Sequence, residues 1–433
     1  MFRLWSTVFA LLFCGTSWGQ ASPPTDQPTI ELLVQQVRAL QQETGELREK
    51  VKMLEADRTS APTALADTTS TGSQQPQTTT TPAAADSPVG QIEGLHNIHG
   101  IQWRGFGEVN YKVLDQRQPE LGTYGFVPGS AGSFYTGDLD LLLTSRITER
   151  ASVLSEIVFG EGDAQRYGVN LARVLLKYDY NDHLKMSFGR YHTGIGYYNT
   201  AFHNGAWLQT TADRPLIMEF ANSGGLLPTQ AVGVSVTGLL PSGKMGLNYI
   251  AEYGSSDMKR LDITGSDEVT DENNGNHINL GLFARPDALP GLQIGASYYH
   301  DMIGDGSPEQ PVRYGQTIVN AHVVYVAHGF EVLNEGFLIR LAQLNSPTVY
   351  NMPAFYTQFS RRLGRVRPFF RYQYVNTNPN EEIFDDVGLR YGPSFGARYD
   401  FDDNIAVKAQ LDHTVRGGEP NLNGLHLQMA FTF

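Results

Sequence analysis

From about residue 98 to the end of the chain, apolar and polar side chains alternate one for one. In the last such segment Leu425, Leu427, Met429, Phe431 and Phe433 alternate with His426, Gln428, Ala430 and Thr432. Val407, Ala409 and Leu411 alternate in the same way with Lys408, Gln410 and Asp412, and Leu184, Met186 and Phe188 with Lys185, Ser187 and Gly189. A period of two puts successive side chains on opposite faces of a strand, so each segment predicts a β-strand with one apolar and one polar face. Strands are expected near 101–113, 134–147, 150–160, 170–180, 183–191, 229–240, 244–254, 276–286, 291–302, 314–327, 330–343, 352–362, 365–376, 387–400, 404–415 and 423–433.

Alternation alone also fits a soluble sandwich; the connections discriminate. After every second strand the link is tight, as at Thr148-Glu149, Asn181-Asp182, His328-Gly329 and Leu363-Gly364. The others are mostly longer, with 192–228 the longest. Transmembrane barrels connect strands in this way, with short turns on one side and long loops on the other. The expected fold is therefore all-β, a transmembrane antiparallel β-barrel of about 16 strands spanning 98–433. An even count returns both of its ends to the short-turn side.

The N-terminal quarter has a different rhythm. Met1-Phe2-Arg3 and the apolar run Val8 to Cys14, followed by small residues, predict a signal peptide over 1–21. Over 28–58, Ile30, Leu33, Val37, Leu40, Leu47, Val51 and Leu54 recur at alternating steps of three and four, with Thr44 filling the one polar slot. That heptad predicts an N-terminal coiled-coil helix, with a lone amphipathic helix as the alternative. Isolated a/d preferences favour a parallel dimer. Residues 59–97 are mostly Thr, Ser, Ala, Pro and Gln and predict a disordered linker.

Composition removes some readings. Cys14, the only cysteine, falls in the signal segment, which excludes disulfides and thiolate metal sites from the mature chain. The formal charge is −13, and −14 without residues 1–21, whose one charge is Arg3. Such an acidic chain is a poor nucleic-acid partner. No spacing joins His192, His203 or His413 to a nucleophile, so neither an enzyme nor a metal site or other cofactor is expected.

The signal segment, the alternating strands and the terminal Phe431-Thr432-Phe433 resemble Gram-negative outer-membrane porins. A heptad ahead of a barrel is similar to some phosphate-selective porin O/P-type proteins and to sugar porins with periplasmic coiled coils. The resemblance implies an outer-membrane homotrimer, with the coil in the periplasm and lipid and lipopolysaccharide around the barrel. It also implies passage of small hydrophilic solutes or ions, and a third loop folded into the pore. The rival reading is a tether from the outer membrane to peptidoglycan through the coil.

Loop 192–228 carries Tyr197, Tyr198, Phe202, Trp207 and Phe220, too many aromatics for a solvated loop. His203, Asp213, Arg214 and Glu219 are its candidate constriction residues. Taking each strand's polar phase as inward makes Arg104, Glu108, Arg173, Lys177, Arg365, Arg367, Arg371, Arg390 and Arg398 candidate pore-lining residues. Arg365, Arg367 and Arg371 form a row that suits anions such as phosphate; the alternative is that Arg361, Arg362 and Arg365 flank a short turn and meet solvent and headgroups. Two acid-rich outer loops, with Asp267 and Glu268 in one and Glu381, Glu382, Asp385 and Asp386 in the other, oppose that preference.

Overall fold

The structure is a computed structural model, described at residues 96–98, 100–116, 131–162, 166–202, 205–219, 225–256, 276–304, 313–381, 383–384 and 387–433. The signal segment, the coiled coil and residues 59–95 of the linker lie outside the described residues.

The strands are β1 (His96–Ile98), β2 (Ile101–Leu114), β3 (Ala131–Arg146), β4 (Ala151–Gly162), β5 (Arg166–Asn181), β6 (Leu184–His192), β7 (Gln230–Leu239), β8 (Leu247–Ser256) and β9 (His277–Ala284). They continue with β10 (Leu292–Gly304), β11 (Arg313–Ala327), β12 (Phe330–Gln343), β13 (Val349–Arg361), β14 (Val366–Asn376), β15 (Leu389–Asp400), β16 (Ile405–Arg416) and β17 (Leu422–Thr432). Strands β2 to β17 form a closed antiparallel 16-stranded barrel in which each pairs with its sequence neighbours. The seam joins β17 to β2, from Gly424 opposite Leu114 to Thr432 opposite Phe106. All sixteen expected strands are present, with ends displaced by at most four residues. The short β1 folds back on the start of β2, so the chain preceding the barrel joins it at the short-turn rim.

The turns form for local reasons. Asn181 Oδ1 accepts the N–H groups of His183 and Leu184, both at 2.9 Å, and Asp402 Oδ1 those of Asn404 and Ile405, both at 2.8 Å. Such side-chain caps fold the chain back within two or three residues. At His328-Gly329 both residues have positive φ (54° and 77°), as a two-residue hairpin with the twist of its strands requires.

Outward side chains are apolar and open to the surroundings, as at Val319, Val323, Leu338, Phe355, Phe370, Phe395, Leu411 and Met429. Tyr180, Phe359, Phe401 and Phe433 mark the short-turn rim, an aromatic girdle of the kind that meets a lipid interface. Phe431 and Phe433 lie across Gly107 and Gly105 of β2, where an added Cβ would come within 2.6 and 2.3 Å of their rings.

The inner wall departs from simple alternation. On β10 to β14 apolar side chains are interspersed among the polar ones: Ile303, Ile318, Leu333, Phe337, Ile339, Met352 and Val375 face inward and are buried. Water would not cover these side chains; the third loop does. Ile195, Tyr198, Ile217, Met218, Leu226 and Leu227 pack against them, and Ile383 and Phe384 of the β14–β15 loop join the same cluster. A smaller cluster (Phe106, Leu142, Leu154, Leu175, Tyr191 and Ala231) lies on the opposite wall beneath Trp207 and Leu208.

Candidate functional site

The third loop leaves β6 at Thr193 and returns to β7 at Thr229 through a closed neck. Thr193 donates its N–H to Thr229 O (3.1 Å) and its hydroxyl to Pro228 O (2.6 Å), while Asn199 Nδ2 bridges Thr193 O and Thr229 O. The chain then crosses the barrel, and polar side chains on the inner wall satisfy backbone groups that no secondary structure pairs. Glu252 of β8 accepts the N–H of Gly194 (2.9 Å). Glu335 of β12, 2% exposed, accepts the N–H groups of Tyr197 (2.6 Å) and Tyr198 (2.9 Å) and the phenol of Tyr356 (2.5 Å). Gln373 of β14 takes Leu216 N–H (3.0 Å), and Gln410 of β16 takes Ala212 N–H (2.9 Å).

Basic side chains hold the loop's carbonyls. Arg371 donates to Thr211 Oγ1 (3.2 Å) and Asp213 O (2.8 Å). Arg398 donates to Trp207 O (2.5 Å) and Gln209 O (2.9 Å), and Lys408 to Ala206 O (2.5 Å) and Thr211 O (3.0 Å). The Trp207 ring lies between Arg104 and Arg398, whose guanidinium carbons sit 5.1 and 5.4 Å from its centroid. These wall anchors lie three to eight residues from a short turn. At about 3.3 Å per residue, the loop's attachments therefore run from about 10 to about 26 Å along the strands from the short-turn rim.

The candidate residues thus have distinct placements. Asp213, with a quarter of its side chain exposed, sits 2.9 Å from His426 Nδ1 and 3.4 Å from Lys112 Nζ, and accepts Gln410 Nε2 at 3.2 Å. Burial opposes its ionisation, but His426, Lys112 and Arg371 outweigh it and hold the carboxyl far below the usual range. Arg214 is turned into the loop, where Nε donates to Met218 O (2.7 Å) and the guanidinium covers the Tyr198 ring at 5.4 Å. Glu219 is half-buried, and burial pushes its pKa up to about 7 against the pull of Arg214. His203 lies outside the described residues.

Of the candidate lining residues, Arg104, Arg173, Arg371 and Arg398 point inward but are buried, at 5% or less for Arg173 and Arg371 and 7% or less for the other two. Arg104 Nε donates to Thr432 Oγ1 (2.7 Å), and Arg173 pairs with Glu156 of the neighbouring strand. Glu108, Lys177, Arg367 and Arg390 are half-buried. Arg367 reaches Thr210 Oγ1 (3.2 Å) and Glu331 (3.9 Å). Arg365 is corrected: it sits exposed in the turn between β13 and β14, outside the lumen. The arginine row is therefore no free ladder, because its first member is in the turn and its last lies under the loop. Glu381 also differs from expectation. It is buried and accepts the N–H groups of Ile383 (2.9 Å) and Phe384 (2.5 Å), capping its own loop rather than charging an outer mouth. Glu382, Asp385, Asp386 and the other acid-rich loop lie outside the described residues.

Glu335, Glu331, Gln373, Gln410 and His426 were not singled out by sequence pattern. Glu331 and Glu335 did carry a signal, since they share a phase with Leu333, Phe337, Ile339 and Leu341 on a strand that is apolar on both faces. A carboxylate in such a row needs a buried donor.

No protein-family model matches the sequence, and no curated protein sequence matches it. Among solved structures, OmpT expressed in the outer membrane of Vibrio cholerae is 12% identical, with 78% of this chain and 100% of that one covered and a TM-score of 0.50. A trimer form of the same protein gives 13% identity, 77% and 99% coverage and 0.50. The outer membrane channel DcaP of Acinetobacter baumannii gives 10%, 79%, 100% and 0.50. At these identities the likeness establishes the fold, an outer-membrane-type β-barrel.

Proposed function

We propose that this protein is an outer-membrane porin that lets small hydrophilic and ionic solutes diffuse through a loop-narrowed aqueous pore. The observation that carries the reading is the third loop. Side chains on β8, β12, β14 to β17 and β2 bind it, yet Lys112 and Asp213, with Glu108 and Glu219 near them, remain partly open. A 16-stranded barrel is otherwise wide enough for a water-filled channel, so a fixed constriction is what gives such a pore a size limit. The exterior apolar band and aromatic rim support residence in the outer membrane. The trimer form of the V. cholerae protein supports a homotrimer. The N-terminal entry at the short-turn rim supports a periplasmic position for the expected coil, from which a second role as a peptidoglycan tether would follow.

Purified protein in a planar bilayer should give stable single-channel steps, and deleting 205–222 should enlarge them. A correctly folded, heat-modifiable barrel that conducts no current would defeat the porin reading in favour of the tether. A folded deletion variant with unchanged conductance would defeat the constriction.

A further inference from the structure

We infer that the pore prefers cations, because the carboxylates an ion can touch at the constriction, Glu108, Asp138, Asp213 and Glu219, outnumber the open bases there, Lys112 and Arg367. This rests on the porin reading above and adds the class of solute.

Two independent observations carry it. The first is where the positive charge has gone. Arg371, Arg398 and Lys408 are at most 7% exposed, and their donors are directed at loop carbonyls. Arg104 is covered by Trp207, and Arg214 is 9% exposed and bound within the loop. A chloride or phosphate arriving at the loop meets few free donors, since these groups face backbone oxygens. Lys112 keeps an 18% exposed side chain but lies against Asp213.

The second is how the wall opposite is built for acids. Asp138 of β3 is exposed, and Glu108 of β2 is half-buried beside it. Each lies flat over a glycine. A Cβ on Gly137 would fall 2.0 Å from Glu108 Oε1, and one on Gly160 2.8 Å from Asp138 Oδ1. The two glycines leave a shallow shelf over which these two carboxylates lie. Two residues further along β3, Asp140 is 1% exposed and lies against Glu156 of β4. Asp138 is within electrostatic reach of Arg214, and Lys112 within reach of Asp213, Glu219 and Asp412, so wall and loop face one another across one passage. Carboxylate oxygens can replace part of a cation's hydration shell, whereas the covered guanidiniums cannot do this for an anion. The covered bases still offset part of the field, so the preference is moderate. Potassium, ammonium ions and small basic organic solutes are the class it fits.

The test is the reversal potential of the wild-type protein in a planar bilayer under a low-salt KCl gradient, where screening is weak. The sign should report cation preference. Glu108→Gln with Asp138→Asn should lower the K+/Cl− permeability ratio at least threefold, roughly the effect of one unit charge on an ion passing at about 6 Å in water. Asp138→Asn alone, at an exposed position where folding is not at stake, should shift it in the same direction. Liposomes should swell faster in a basic amino acid than in an acidic one of similar size. Conducting channels with an anionic reversal potential, or variants whose ratio does not move, would overturn the inference and leave the porin reading standing. Absence of any channel from folded protein would remove both.

Discussion

Glu335 offers the sharpest test of whether the third loop is fixed from the wall. Its carboxylate sits at the bottom of the loop's neck and accepts three buried donors, the N–H groups of Tyr197 and Tyr198 and the Tyr356 phenol. Glu335→Gln keeps the shape of the side chain but replaces one acceptor oxygen by an NH2 that faces another donor. A hydrogen bond to a charged acceptor contributes about 1.5–3 kcal/mol, and an unsatisfied buried donor costs about 1–3 kcal/mol. A loss of about 2–3 kcal/mol raises the population in which residues 194–202 are undocked by roughly a hundredfold. The remainder of the loop stays held, because Ile217 and Met218 are fully buried and Arg371, Arg398 and Lys408 are untouched. The expected record is therefore a channel of near-normal mean conductance with much greater open-channel noise, together with faster proteolysis within 194–205. Glu335→Ala, which leaves all three donors without an acceptor, should go further and lower the temperature of heat modification. If both variants gave quiet, protease-resistant channels, the neck would not be held by this carboxylate, and the wall-anchored account of the constriction would be wrong.

Three other outcomes follow from the same geometry. The Glu219 pKa of about 7 lies above the ordinary carboxylate value, because burial favours the neutral acid; the folded state therefore takes up a proton as pH falls from about 7 toward 4.5, and that stabilising contribution is lost as pH rises through the same window. Cation preference should accordingly weaken on acidification across this range in the wild type and weaken measurably less in Glu219→Gln; equal pH dependence in both would refute the assignment. Gly189→Ala on β6 would force a methyl against the Val174 carbonyl of β5 at a φ of 126°, at about 1–3 kcal/mol, so the heat-modification temperature of the barrel should drop, and an unchanged value would count against that close backbone approach. Arg173→Met should cost about 3–5 kcal/mol by leaving buried Glu156 with His192, 3.6 Å away, as its remaining basic neighbour, while the double variant with Glu156→Leu should recover most of it; equal loss in single and double variants in a urea titration would contradict the pairing.

The barrel was legible in the sequence because burial on one face of a strand writes a period of two, and tight turns leave their own residues. His328-Gly329 needs left-handed backbone and Asn181 caps a turn, so both could be read one at a time. The position of the loop was legible only as an excess of aromatics. Its attachment was not, because the groups that meet are far apart in the chain: Tyr197 and Glu335 are separated by 138 residues, Asp213 and His426 by 213. Nor does polar phase alone tell a lining arginine from an anchoring one. Arg371 and Arg367 share a face of β14 and differ only in what the loop lays over them, 1% exposed against a side chain 24% exposed.

That difference bears on how charge in a lumen should be read. An irregular loop inside a barrel brings many unpaired backbone groups into a space that water no longer fills, and each requires a partner. The wall supplies cations to some of the carbonyls, as Lys408 does with two at once. Loop N–H groups take carboxylates and amides from the same wall, as at Glu252, Glu335 and Gln410. Both signs are therefore consumed by anchoring, and a count of inward charges measures the demand of the loop more than the character of the pore. On the reading proposed above, what an ion meets is the remainder: the shelf of Glu108 and Asp138, with Asp213 and Glu219 across from it and Lys112 and Arg367 as the open bases. The inner wall is rich in arginine, yet Arg104, Arg371 and Arg398 are covered where the loop lies over them, so their charge counts for less in the pore than their number suggests.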